Sequence, residues 1–269
     1  MNNSGIRHSR SIVRARARAR ARARTGAVAA CALVSLAVLT GCGGSGSADS
    51  ATGASPSASA AETSAAASAV KPLTSGELES AALVKADLTG YEVSTPAKAE
   101  IVAADGVEVS GEECVPLGRA VAGTAVGKPA AATYRRVTGA AASGEAALDI
   151  NTGTVTLASY ASAAEATAAL KSVADAVTAC AGGFQWTAGG EQLDVGKVTV
   201  GTAPKAGDEA VAFTAVTPLD GVDAPWKVVV FRDGATLAHF TVFNVGATTS
   251  GKDFTFPADL VTAQADKLA

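Results

Sequence analysis

Few residues in this chain are equipped for chemistry, and their spacing narrows the options quickly. After position 41 there is a single histidine, His239, inside an apolar run that alternates like a strand. A hydrolase built on it needs a nucleophile within hydrogen-bond reach and a third group to orient the ring. No Gly-x-Ser-x-Gly turn supplies that nucleophile, so His239 reads as a core or edge histidine. The stretch from Gly123 to Lys128 looks like a phosphate-binding loop. However, three residues separate its glycines where four are needed, and Pro129 stands where a magnesium-binding hydroxyl belongs. Glu112 and Glu113 are adjacent, whereas carboxylates that cleave glycosides face each other across a cleft; beside a helix start they serve its dipole. Arg135 and Arg136, neighbours in an expected strand, point to opposite faces, so at most one meets an anionic ligand. Both are expected as solvated charges. One histidine without CxxC or HxxxH spacing disfavours a metal site. The sequence therefore nominates no catalytic residue, no metal and no cofactor.

The cysteines carry more information. Cys42 closes Leu39-Thr40-Gly41-Cys42 directly after thirteen uncharged residues, Ala27 to Leu39. Upstream, Arg7 to Arg24 supplies eight arginines and no acid. A positive segment, a short apolar segment and small residues before a cut make a secretory signal. The apolar stretch is too short to span a bilayer, which takes about 20 residues. A cysteine at this position is the one that bacterial lipoprotein processing acylates. The expectation is that residues 1–41 are removed and that Cys42 carries palmitate and a diacylglyceryl group, whose two chains already meet what stable anchoring needs.

Charge supports that reading. The chain has 22 basic and 25 acidic residues; without the eight leader arginines, 14 basic residues face 25 acidic ones, a net −11. An acidic surface argues against nucleic acid and against broad contact with anionic lipid. The arginine run tempts a nucleic-acid reading but lies upstream of the cut. From Gly43 to Val70 the composition is almost wholly Gly, Ser, Ala and Thr, with Asp49 and Glu62 the only charges. Such a segment buries too little apolar surface to offset its ordering entropy. It reads as a disordered tether of about 30 Å root-mean-square span. Residues 42–70 are thus lipidated cysteine and tether, and residues 71–269 an extracytoplasmic domain. Outside the membrane, the remaining Cys114 and Cys180 read as a disulfide. The loop they close contributes roughly 4 kcal/mol in the chain-entropy model.

Helix signals are clear in places. Thr74 to Glu77 matches a capping box, and the helix it opens is expected to stop near Thr89-Gly90. Glu112 to Ala122 reads as a short helix with Pro116 in its first turn. Ser162 to Glu165 opens the longest helix, with Leu170, Val173 and Val177 on one face, Cys180 in the last turn and Gly182-Gly183 ending it. Pro257 opens a terminal helix. Strands are expected at Ala132–Val137, Glu145–Ile150, Thr154–Tyr160, Phe184–Thr187, Val195–Val200, Ala210–Val216, Trp226–Arg232 and Ala235–Val245. Turns are expected at Asn151–Gly153 and at Asp233-Gly234. The fold class is α+β: an antiparallel sheet of about six or seven strands packed with helices, with one disulfide.

Pairing around Asp233-Gly234 sets Val230 opposite Leu237, Val228 opposite His239 and Trp226 opposite Thr241. Phe243 and Val245 share that face. Lys227, Val229, Phe231, Ala238, Phe240 and Val242 form the other. Neither face is polar, so both must be at least partly covered. One can pack on the long helix; the second is a further layer of core, the commoner outcome, or the floor of a groove.

The lipobox, the Ser/Ala tether, Leu88–Tyr91, Cys114–Ala120, the helix ending Val177–Cys180 and the terminal Val261–Ala269 helix together resemble actinobacterial envelope lipoproteins. From about Leu73 to Leu268 the chain also loosely resembles the extracellular sensor domain of mycobacterial PknH-type kinases. That resemblance implies an antiparallel sheet with helices around a cleft that binds an unidentified ligand, held by disulfides. The family domain has two disulfides, and this sequence has cysteines for one.

The reading that follows is a lipid-anchored, non-enzymatic, ligand-binding or sensor-like domain on the outer face of the plasma membrane. A groove bordered by Trp226, Phe231 and Phe240 would take a lipid or cell-wall fragment. No nucleic-acid partner is expected, and nothing specifies an oligomer. The alternatives are an envelope adaptor, which would show an exposed apolar patch, and a hydrolase using His239.

Overall fold

Side chains of Thr74, Ser162 and Asn244 set where three of the helices begin. The computed structural model describes residues 71–141, 144 and 147–269. The signal segment, Cys42, the tether and part of the expected Glu145–Ile150 strand lie outside the described residues. Helix α1 spans Ser75–Ala81. The Thr74 hydroxyl accepts the Glu77 N–H at 3.3 Å, and the Glu77 carboxylate accepts the Thr74 N–H at 2.7 Å. The helix stops at Ala81 and does not continue to Thr89. Arg135 Nε donates to the Leu83 carbonyl at 3.0 Å, and the Val84 N–H donates to the Asp87 carboxylate at 2.8 Å. Those bonds turn the chain out of the helix into a single 3-10 turn, Lys85–Asp87. Helix α2, Val115–Val121, follows the 3-10 turn Glu112–Cys114 and holds Pro116 in its first turn. Helix α3, Ala163–Ala179, starts where the Ser162 hydroxyl accepts the Glu165 N–H at 3.2 Å and is capped by Cys180. Helices α4, Val245–Ser250, and α5, Ala258–Leu268, close the chain.

Ten strands run between them: β1 Tyr91–Ser94, β2 Glu108–Val109, β3 Ala131–Gly139, β4 Asn151–Ser159, β5 Phe184–Ala188, β6 Glu191–Val195, β7 Lys197–Val200, β8 Glu209–Leu219, β9 Val222–Asp233 and β10 Thr236–Asn244. Seven form one antiparallel sheet in the order β1-β3-β4-β10-β9-β8-β7, and β2-β5-β6 form a smaller one. The fold is the expected α+β type.

Two turn expectations are corrected. Asn151–Gly153 is the start of β4, with Gly153 opposite Val242 of β10. A Cβ on Gly153 would fall 2.0 Å from the Thr241 carbonyl oxygen. The glycine marks a close approach of two backbones, not a reversal. The β9–β10 turn is Gly234-Ala235, with Gly234 at φ 52°, so His239 faces Val230, Thr241 faces Val228 and Phe243 faces Trp226. Moving the turn by one residue moves every partner by two, which leaves each side chain on its expected face.

Both faces are covered. Val228, Val230 and Leu237 pack with Leu170, Val173 and Val177 of α3 and with Leu117 of α2. Val229, Phe231, Ala238, Phe240 and Val242 pack with Leu78 of α1 and with Leu260 and Val261 of α5. For most of the second face, core is the outcome. Cys114 and Cys180 form the disulfide, Cα atoms 5.9 Å apart, fastening the turn before α2 to the end of α3.

Two outcomes follow from this packing. Gly153→Ala forces β4 off β10 and destabilises the domain by several kcal/mol, on the scale of about 3 kcal/mol for severe overpacking; urea unfolding that shows a change below about 1 kcal/mol contradicts the close approach. Replacing both Cys114 and Cys180 by alanine costs about 2–5 kcal/mol by the same assay.

Candidate functional site

His239 sits in the middle of β10 with 3% of its surface exposed. The Thr241 hydroxyl, 2.9 Å from His239 Nε2, donates its one hydrogen to the Ala120 carbonyl at 2.6 Å. Nε2 must therefore donate to the Thr241 oxygen, which assigns the proton to Nε2 and leaves Nδ1 bare. Nδ1 has no partner. A hydroxyl beside an imidazole has the outline of a nucleophile and base, but Thr241 is also only 3% exposed and its proton already belongs to a carbonyl. Among the described residues no carboxylate orients the ring. Burial pushes the His239 pKa down to about 4, so the ring is neutral.

The pair is part of a larger device. The Thr156 hydroxyl donates to the Gly123 carbonyl at 2.7 Å, the Tyr160 hydroxyl to Val126 at 2.6 Å, and Arg119 Nη1 to Gly127 at 3.0 Å. Together with Thr241 on Ala120, these donors satisfy four carbonyls, those of Ala120, Gly123, Val126 and Gly127, in the segment from the end of α2. That segment is buried against the sheet, with Thr124, Ala125 and Val126 almost wholly enclosed. A buried loop survives only if its backbone groups find partners. The stretch resembling a phosphate loop is therefore packed backbone. Burial also raises the pKa of Tyr160.

Arg135 corrects the expectation of a solvated charge. It is 5% exposed, 2.6 Å from the Glu79 carboxylate, and donates to the carbonyls of Leu83, Tyr134 and Glu79. It anchors α1 to β3, and with Thr133 it holds the Glu79 carboxyl below its usual pKa range. Arg136, on the opposite face as expected, is exposed and pairs with Glu100 at 3.1 Å. Glu112 and Glu113 are exposed beside the start of α2. Among the described residues no group of three His, Cys, Asp or Glu comes together to hold a metal.

Two of the clefts bear on function. A polar one of about 610 Å³ surrounds α4. Asn244 Nδ2 donates there to Asp149 at 2.7 Å and to Asn151 at 3.0 Å, while its Oδ1 accepts the Ala247 N–H at 3.0 Å. These groups are already committed to holding α4 on the sheet. The other is an apolar groove of about 390 Å³, inside the range of about 300–1,000 Å³ that small-molecule sites occupy. Ala212 of β8 and Val229 of β9 line it from the sheet. Val261 of α5, Phe256 before that helix and Pro204 after β7 line it as well. Its one charged lining residue is Lys227. Lys227 Nζ lies 2.9 Å from the Asp253 carboxylate and 5.1 Å from the centre of the Phe254 ring.

The groove is not bordered by the three aromatic residues read from the sequence. Phe231 and Phe240 have no exposed surface and stack on each other at 6.0 Å inside the core. Trp226 is half-buried against Phe243, ring centres 4.7 Å apart, on the other face of the sheet. Lys227 and Val229 border the groove instead. The signal for them was present: a lysine alternates into an otherwise apolar strand face.

No family model matches the sequence, and no curated protein matches it. Among solved structures, the chain is similar to the extracellular domain of PknH from Mycobacterium tuberculosis. The identity is 12% and the TM-score 0.48, with 74% of this chain and 97% of that chain covered. The loose likeness expected from the sequence is present.

His239 gives this region a measurable signature. Its pKa is about 4 when folded and about 6.5 when unfolded. The unfolded state thus binds more protons between these values. Stability contributed by the neutral ring is full above about pH 6.5 and falls with pH until about pH 4, at up to about 1.4 kcal/mol per pH unit. Subtracting the pH profile of His239→Gln from that of the wild type isolates this slope. Parallel profiles between pH 4.5 and 6 would show that the ring is not sealed.

Proposed function

We propose that this chain is a lipid-anchored extracytoplasmic domain that holds a small apolar or amphipathic ligand without converting it. The groove between β8, β9 and the start of α5 carries the reading: it is concave, mostly apolar and built on rigid strands. The sealed geometry around His239 supports binding over hydrolysis, because a substrate has no approach to the Thr241 hydroxyl. The disulfide fits an oxidising compartment, and Cys42 stands where acylation would tether the domain. No helix among the described residues is long and apolar enough to cross a membrane. The large apolar side chains exposed among the described residues, Val84, Leu148 and Val200, belong to three separate segments. That scatter favours a pocket over a docking face for another protein.

Both halves of the proposal are open to direct measurement. Cys42→Ser is expected to move the chain from the membrane pellet to the soluble fraction; a variant that stays in the pellet removes the lipid anchor. Ala258→Trp places an indole at the mouth of the groove from an exposed position on the first turn of α5. It is expected to weaken binding of the apolar dye Nile red at least about ten-fold, the equivalent of 1.4 kcal/mol. Undiminished dye binding would place any ligand elsewhere.

A further inference from the structure

We infer that Lys227 selects the head group of the ligand, so that the groove takes a single-chain fatty carboxylate. This rests on the ligand-binding reading and adds the chemical class. The walls supplied by Ala212, Val229, Phe256 and Val261 suit an alkyl chain, whose methylenes leave water there. Every other lining residue is uncharged, so Lys227 alone decides which head group is tolerated.

The partners of Lys227 indicate how. Its side chain is only 19% exposed, and an ammonium so placed requires an anion. Asp253 now supplies it, yet Asp253 is 77% exposed and lies in the irregular segment between α4 and α5. Asp253 does not itself line the groove, so the carboxylate on the cation is a partner of Lys227 that can return to water at little cost. A ligand carboxylate replaces it with no change in charge around Nζ. The Phe254 ring, 5.1 Å away, keeps the ammonium in place while the carboxylates exchange. A neutral head group leaves the Lys227–Asp253 pair intact and gains the chain alone. A cationic head group is repelled. Asp253 is thus an internal competitor for the site, and Lys227 its specificity-determining residue.

The test is calorimetric titration of the full chain carrying Cys42→Ser, so that no acyl group of its own competes. Dodecanoate, dodecanol and dodecylammonium are the probes, each below its micelle concentration. Dodecanoate is expected to bind about ten-fold tighter than dodecanol, the size of one charge-assisted contact, and dodecylammonium weakest. Lys227→Met should erase the difference between dodecanoate and dodecanol. Asp253→Asn, at an exposed position, should tighten dodecanoate about three-fold and leave dodecanol unchanged, as loss of a competing surface ion pair predicts. Equal binding of all three probes, removed by Ala258→Trp, would overturn head-group selection while the groove stands. No binding of any probe would remove the ligand-binding reading itself. Weaker dodecanoate binding by Asp253→Asn would overturn the role of competitor.

Discussion

Strands β9 and β10 put large apolar side chains on both sides of the sheet, and neither side can be left in water. Val228, Val230 and Leu237 face one way; Val229, Phe231 and Phe240 face the other. At about 1.5–3 kcal/mol for each such side chain buried, two covers are unavoidable, and each is fastened at a polar point. On the first side the disulfide ties α2 to α3, while Thr241, Thr156 and Tyr160 grip the carbonyls that follow α2. On the second, Arg135 holds α1 to β3, and Gln264 of α5 donates to the Ala81 carbonyl at 2.8 Å. Buried polar groups of this kind are tolerated because they are hydrogen-bonded. His239 Nδ1, a bare acceptor without a donor, is one exception, and it makes the first cover sensitive to acid.

The groove follows from the same constraint. Toward β8 and the middle of β9, the second cover consists of loop residues and the first turn of α5. Ala212 is small, so the floor there is recessed, and Lys227 replaces the aliphatic side chain that alternation would otherwise place beside Val229. An incomplete cover over an apolar floor leaves a concavity, and a single lysine at its edge gives that concavity a sign of charge.

Alternation in Trp226–Arg232 and Ala235–Val245 was enough to assign the two faces and to require two covers, because the period of two survives a shift of partners. It did not fix the register. Two Asp-Gly pairs each stand at a hairpin, and local chemistry does not say whether the aspartate lies inside the turn. Asp220-Gly221, with φ of 49° and 81°, forms the β8–β9 turn; at the second pair only Gly234 lies in the turn. Gly153 misled for a related reason, since a glycine required by a neighbouring backbone looks like a glycine required by a turn. Strands β1, β2 and β6 are short or polar and exist through their partners. Helix α4 has weak helix formers and depends on the Asn244 cap. Phe231 and Phe240 have the aromatic character that binding sites favour, but depth below the surface is a property of the assembled layers. Lys227 was readable as an odd residue on an apolar face, yet its pairing with Asp253 joins residues 26 positions apart.

Hydrogen exchange across the whole domain addresses the two-cover arrangement most directly. If both sides of β9 and β10 are sealed, their amides exchange only through global unfolding. The segment between α4 and α5, which closes the groove without regular structure, should then exchange by local opening. Rapid exchange in the centre of β10, or equal protection of that segment and the strands, would contradict the account.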